Sequence, residues 1–260
     1  NQECTAQKVK CKKITLVPNR GRDMGCLLVE GAQIIPSYDY IGFVHDKHSG
    51  HISPATAGEG FFKKCMQNMV YSQEYIYNVL DTFEQNPKLG LLSPPKPNHG
   101  SFANGIGQEW GNNYELVIDL ANMLGLTVPI SKELPPIAPL GDYFWFRAKA
   151  LDPLFKKKWS YSDLPEEPVG LDGTLLHAIE RIYPFVAQQA GYYSGYVMSN
   201  SFSKIEYTNL DYQLARVNLT AHQELEKEQQ KTIETARAYE NSTCWKITAP
   251  IRWLISHVGI

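Results

Sequence analysis

The chain has 260 residues, 43% of them hydrophobic and 20% charged, with a formal net charge of −2. That length suffices for one large buried core or two small ones, and the balanced charge excludes an overall field that would gather nucleic acid or an anionic membrane. The five cysteines, Cys4, Cys11, Cys26, Cys65 and Cys244, are scattered with no C-x-x-C pair, which points to reduced thiols in the cytosol and away from a disulfide frame. Asn1 to Thr5 are polar with no hydrophobic signal region, and no apolar run reaches the roughly 20 residues that span a bilayer.

Ile14 to Val17 and Tyr40 to Val44 are the first two strand candidates, both too apolar for an open edge. Between them, Asp23 to Ile35 carries apolar residues at helical spacing. Gly60 to Glu84 reads as one helix, with Phe61, Met66, Met69, Val70, Ile76, Val79, Leu80 and Phe83 on one face, stopped by Asn86-Pro87. Leu89 to Leu92 is a short buried strand ended by the prolines at 94, 95 and 97. A Gly/Asn-rich loop, Asn98 to Gly107, leads to a helix from Asn113 to Leu124, and Pro129 to Pro139 is an irregular connector. Tyr143 to Arg147 is a dense aromatic strand, followed by a short helix near Lys149 to Phe155. The next helix runs from Asp172 to Ala190, with Gly191 as its stop, and Tyr192 to Met198 is a last strand. Leu210 to Tyr239 has no proline or glycine and reads as a long exposed helix with apolar positions too sparse for a heptad seam. The tail, Cys244 to Ile260, is rich in Trp and Ile interspersed with Lys246, Arg252 and His257, a composition suited either to a membrane surface or a partner, or to docking on the core. The expected domains are 1–204 and a helical extension, 205–260.

Strands that alternate with helices and end in polar clusters favour a doubly wound α/β sheet, whose ligands bind outside the carboxyl ends of its strands. Asn19-Arg20-Gly21-Arg22-Asp23 offers two guanidinium forks suited to phosphate oxygens, or else a solvated turn with its arginines paired to Asp23 or Glu30. His45-Asp46-Lys47-His48-Ser49-Gly50-His51 offers a phosphate site, with Lys47 and His45 as cations, a metal site using His45, His48 and His51, or simply a surface loop rich in His. Asp172 stands at the start of a helix, where a cap holds a carboxylate ionised. His177, Glu180 and Arg181 share one side of that helix. On these residues alone, Asp172 and Glu180 are equal candidates for a base.

Taken in order, several stretches resemble the rhamnan synthesis protein F family, bacterial glycosyltransferase-like enzymes of cell-wall and surface polysaccharide assembly. They are Asn19 to Asp23, Tyr38-Asp39-Tyr40, His45 to Ser49, Leu89 to Leu92, Gly141 to Arg147 and Asp172 to Arg181. The resemblance covers most of residues 14 to 198, and Ser242 to Arg252 is similar to the ends of many bacterial glycosyltransferases. It implies a GT-A-like (Rossmann-like) domain that transfers a sugar by inversion from a nucleotide donor such as dTDP-L-rhamnose. The acceptor would be a lipid-linked glycan, in the cytoplasm at the inner face of the cell membrane. By the same resemblance Asp172 is the base, with Glu180 beside it. Asn19, Arg20, Arg22, Asp23, His45, Asp46, Lys47 and Arg181 hold the donor. Tyr143, Trp145, Arg147 and His177 line the acceptor cleft, with the aromatic rings either stacking on sugars or serving as core.

The sequence departs from that pattern in two places. Where related enzymes carry Asp-x-Asp to hold a divalent metal, this chain has His45-Asp46-Lys47, so Asp46 is the one expected ligand for Mg or Mn and the cations beside it take over neutralising the diphosphate. Eighteen residues precede Asn19, where the first strands of such a domain are expected. The chain is therefore either a piece of a longer protein or a domain without part of its donor pocket. The second case gives the non-enzymatic alternative, a glycan-binding or scaffolding subunit of a polysaccharide complex. A third class, a metal-dependent hydrolase, would rest on His45, His48 and His51.

Overall fold

The computed structural model describes residues 14–46, 55–96 and 108–258, and the chain divides into two compact units, Asn1–Lys204 and Ile205–Ile260. In the first unit a short helix, α1 (Arg22–Gly25), continues as a π-helical turn and 3-10 turns to Ser37. Four strands form one sheet in the order β1 (Tyr40–Phe43), β3 (Phe144–Arg147), β2 (Leu89–Ser93) and β4 (Tyr193–Tyr196). β1 and β2 both run antiparallel to β3, and β4 runs parallel to β2. The sheet is therefore mixed, a correction to the doubly wound arrangement. After β2 and helix α4 (Tyr114–Leu124), the proline-punctuated passage returns the chain to the edge it left, so β3 is threaded backwards.

Alternation along the strands supplies two cores. Phe144 and Phe146 of β3 and Leu91 of β2 pack with Leu27 and Leu28, with Val117 and Leu120 of α4, and with Ile179 and Ile182 of α6 (Leu175–Gln189). On the other face Tyr143 meets Phe61, Cys65 and Met69 of α2 (Ala55–Val70), while Leu89 and Leu92 meet Val79 and Phe83 of α3 (Gln73–Gln85). Each fully buried ring contributes about 1.5–3 kcal/mol, so helices on both faces are the energetic consequence of strands that are apolar on both faces. Trp145 lies across Gly42, where a Cβ would stand 2.8 Å from the indole, and donates to the Met69 carbonyl at 3.0 Å. A short helix, α5 (Asp152–Phe155), follows β3.

Three further expectations are corrected. Ile14 to Val17 forms no strand: Leu16 is 98% exposed and Ile14 67%, and among the described residues no strand pairs with it. The single helix expected from Gly60 to Glu84 is two, because Ser72 turns extended and its side chain accepts from the Tyr75 N–H at 3.2 Å, opening α3 afresh. Helix α6 starts at Leu175 with Thr174 as its N-cap, so Asp172 stands in the preceding turn.

The second unit carries most of a long helix, α7 (Asn200–Asn241), then α8 (Thr243–Ile247) and α9 (Ala249–Val258). Ser242 caps α8 by accepting from the Trp245 N–H. Among the described residues, no helix is long and apolar enough to cross a membrane, and Cys26 and Cys244 are free thiols.

Candidate functional site

Because β1, β2 and β4 share a direction, the segments after Phe43, Ser93 and Tyr196 all leave at one edge, and Gly141-Asp142-Tyr143 enters β3 there. His45 lies at this edge. Its ring stacks on Tyr143 at 4.4 Å between centroids. Its Nδ1 is 2.7 Å from the Asp46 carbonyl, and its Nε2 is 2.9 Å from the Gly141 carbonyl and 3.5 Å from Asp23 Oδ2. Both carbonyls are acceptors, so a neutral ring satisfies one of them at a time. In return the Tyr143 hydroxyl donates to the His45 carbonyl at 2.9 Å. Burial, then the neighbouring charges of Cys65, Asp23, Asp46 and Asp142, push the Tyr143 phenol far above its ordinary range. Tyr183, wholly buried beneath, is raised by burial and by Asp142, Asp23 and Glu180.

From this group the contacts run on without a gap. Glu180 Oε1 accepts from the Gly141 N–H at 2.9 Å, and Glu180 Oε2 lies 3.9 Å from Arg181 Nη1. Arg181 donates through Nε to the Glu109 carbonyl at 2.6 Å and through Nη1 to the His177 carbonyl at 3.0 Å, which leaves Nη2 open among the described residues. Glu109 is ion-paired with Lys96, beyond the end of β2. His177 Nδ1 is 2.7 Å from the Thr174 hydroxyl. Asp172 accepts from Asn113 Nδ2 at 2.6 Å and from the Asn112 N–H at 3.1 Å. Partial burial acts to raise the Asp172 pKa, but Asn113, the N–H groups of Asn112 and Gly173 and the charge of Arg181 outweigh it and hold the carboxyl below its ordinary value. Asp172 is thus an ionised, oriented carboxylate facing solvent.

Asp23, His45, Asp46, Tyr143, His177, Glu180, Arg181 and Asp172 are gathered along this edge; the remaining candidates have other tasks. Arg20 binds the Leu164 carbonyl at 2.7 Å and Glu166 at 2.9 Å. Arg22 binds the Val169 carbonyl at 2.8 Å, with Glu167 at 3.6 Å. Gly21 between them has φ +74° and packs so closely on Leu164 that a Cβ would stand 2.5 Å from it. The Asn19–Asp23 turn is therefore a clamp on residues 162–169, with Asn19 exposed at its start. Arg147 is at the opposite edge, since it pairs with Tyr40 in β1. Its guanidinium is taken by Tyr40 Oη and the Leu89 and Phe83 carbonyls. Tyr143 is fully buried and Trp145 is packed between helix and sheet, so neither ring is presented to a sugar.

Sequence reasoning missed Asp142, buried with φ +60°, the Lys96–Glu109 pair, and Asn112 and Asn113. The two asparagines directly before a helix were the available signal for a clamp on a neighbouring turn. Lys47, His48 and His51 lie outside the described residues. Among the described residues, no three of His, Cys, Asp and Glu gather closely enough to hold a metal ion. A cavity of 480 Å³ lies at the other edge, lined by Tyr38, Asp39, Arg147, Lys149, Asp152 and Tyr192 among others. A second, of 510 Å³, flanks β1 beside Leu27, Ile35 and Ile41. Neither touches Asp172 or Arg181; ionisable chemistry, more than concavity, marks the carboxyl edge.

The sequence profile of the rhamnan synthesis protein F family matches residues 1–192. Two relatives from Xanthomonas campestris pv. campestris, one in strain B100 and one in a second strain, carry the description "Uncharacterized protein WxcX". Each is 26% identical over 181 residues, 67% of this chain and 24% of theirs. The chain thus spans about a quarter (24%) of the length of the curated relatives it matches. No solved structure matches it.

Proposed function

Because the chain belongs to the rhamnan synthesis protein F family, a family of polysaccharide synthesis, we propose that it is a GT-A-like glycosyltransferase domain. It moves L-rhamnose from dTDP-L-rhamnose to a growing, lipid-linked surface glycan. The observation that carries this reading is the ionised Asp172, fixed by Asn112 and Asn113 beside Arg181 at the carboxyl edge of the sheet. In a single displacement, Asp172 takes the proton of the acceptor hydroxyl. That oxygen bonds to the anomeric carbon from the face opposite the diphosphate, and the carbon–oxygen bond to the diphosphate breaks with its electron pair on the leaving group. Arg181 through its open Nη2, with Lys47, neutralises the charge that develops there. A divalent metal, if bound, would be held by Asp46 and the donor phosphates and would add Lewis-acid stabilisation. The steps assigned to the residues do not depend on it.

One observation favours a second reading, the non-catalytic glycan-binding subunit. Arg20 and Arg22, expected at the donor, already hold carbonyls and carboxylates of residues 162–169. Calorimetric titration with a panel of nucleotide diphosphate sugars decides between them. Transfer requires saturable binding that weakens in Arg181→Gln. Retained glycan binding with no nucleotide-sugar heat supports the subunit and ends the case for transfer.

A further inference from the structure

We propose that the carboxy-terminal helices α8 and α9 form a docking surface for an anionic lipid bilayer. This inference stands apart from the transfer reading, since it uses none of the residues at the sheet edge. Ile251, Leu254 and Ile255 fall at i, i+3 and i+4 of α9 and make one apolar stripe. All three are more than half exposed, as are Ile247 at 71% and Trp253 at 60%. A cluster of large apolar side chains in water on a short segment needs a partner, and α9, ten residues long, is far short of a bilayer crossing. The fitting geometry is a helix lying in the interface plane with its stripe among acyl chains.

The charges choose the partner. Residues 243–258 contain Lys246, Arg252 and His257 and no aspartate or glutamate, whereas α7 just before them carries acids and bases together. The Arg252 guanidinium lies 3.6 Å from the centre of the Trp245 ring, and Trp253 stacks on His257 at 4.6 Å. Each tryptophan is thus paired with a basic side chain, the combination that suits the headgroup level, where one end is apolar and the other wet. A second copy of the chain docked tail to tail would bring a second set of Lys246 and Arg252 to the same interface. An anionic headgroup layer meets them with the opposite sign.

The test uses the purified full chain with vesicles of phosphatidylcholine alone and of phosphatidylcholine with phosphatidylglycerol, read by co-sedimentation and by tryptophan emission. The wild type should pellet with the anionic vesicles, shift its emission to the blue, and stay in solution with the neutral ones. Lys246→Gln combined with Arg252→Gln keeps the apolar stripe and should lower partitioning about 25-fold, about fivefold for each charge. Ile251→Glu with Leu254→Glu should abolish binding while the sheet-containing unit keeps its melting temperature. The proposal is overturned by wild type that ignores both vesicle types, or by Glu variants that still pellet. Tail-dependent self-association in sedimentation velocity without lipid binding would equally overturn it.

Discussion

Replacing Asp172 by Asn separates a chemical role from a structural one. The carboxylate accepts from Asn113 Nδ2 at 2.6 Å and from the Asn112 N–H at 3.1 Å. The amide keeps one acceptor and turns a donor toward the other donor. A hydrogen bond to a charged group contributes about 1.5–3 kcal/mol. Asp172 is exposed, so water replaces part of this, and a loss of about 1–2 kcal/mol is expected, or about 2–8 °C in melting temperature for a unit of this size. Loss of a general base costs about 10²–10⁴ in rate, roughly 3–5 kcal/mol of barrier. The assay is single-turnover transfer of labelled rhamnose from dTDP-L-rhamnose to an acceptor glycan, alongside thermal melting. Since the Asp172 carboxyl is held below its ordinary value, the base stays ionised through the ordinary carboxylate range and the acid limb of kcat/KM lies below that range. Asn113→Ala removes one of the groups holding it down, so transfer should persist with that limb moved to higher pH. Near wild-type transfer by Asp172→Asn, or equal loss in the two variants at every pH, would refute the assignment.

Other substitutions test the frame. Gly141→Ala meets both a φ of +94° and the Phe61 ring 2.7 Å from the new Cβ, and should lower stability by about 1–3 kcal/mol in thermal melts. Phe144→Ala empties a fully buried site between sheet and α6 and should cost about 3–5 kcal/mol in urea unfolding. Arg147→Ala strips the donor from the Leu89 and Phe83 carbonyls. It should destabilise by about 1–3 kcal/mol without changing nucleotide-sugar heats, because it lies at the far edge. Asp163, held low by the backbone and side chain of Ser160, has a depressed folded pKa. The stability it contributes is therefore present above about pH 4 and lost as pH falls through the folded value; Asp163→Asn should flatten the acid limb of a stability profile.

Much of the fold was legible because strand candidates at 40–44, 89–92, 143–147 and 192–198 are short, apolar and bounded by Pro, Gly or charge. What composition does not encode is direction. Nothing in Tyr143–Arg147 says that the strand runs against its neighbours, and that reversal sent Arg147 to the edge opposite His45. Burial was likewise hidden: Ile14 to Val17 has the residues of a strand, yet pairing is a property of the partner as well as of the segment. At the site, His45 and Asp172 could be picked out as ionisable groups at element ends, and Glu180 and Arg181 by their shared helix face. Their linkage through the Gly141 backbone could not, because it joins positions 96 and 39 residues apart. Arg20 and Arg22 looked like phosphate forks because a guanidinium suits any pair of acceptors, and the acceptors supplied by residues 162–169 are visible only in three dimensions.

A reversed β3 also ties two distant tasks to one alignment. Tyr143 braces His45 at one margin, and four positions on Arg147 closes the other against Phe83 and Leu89. A slide of one position would exchange the faces of all its aromatic rings and unseat both anchors together. Faulty threading of this strand thus has no half-working form, and a molecule that keeps the imidazole stacked has, by the same token, the far margin sealed.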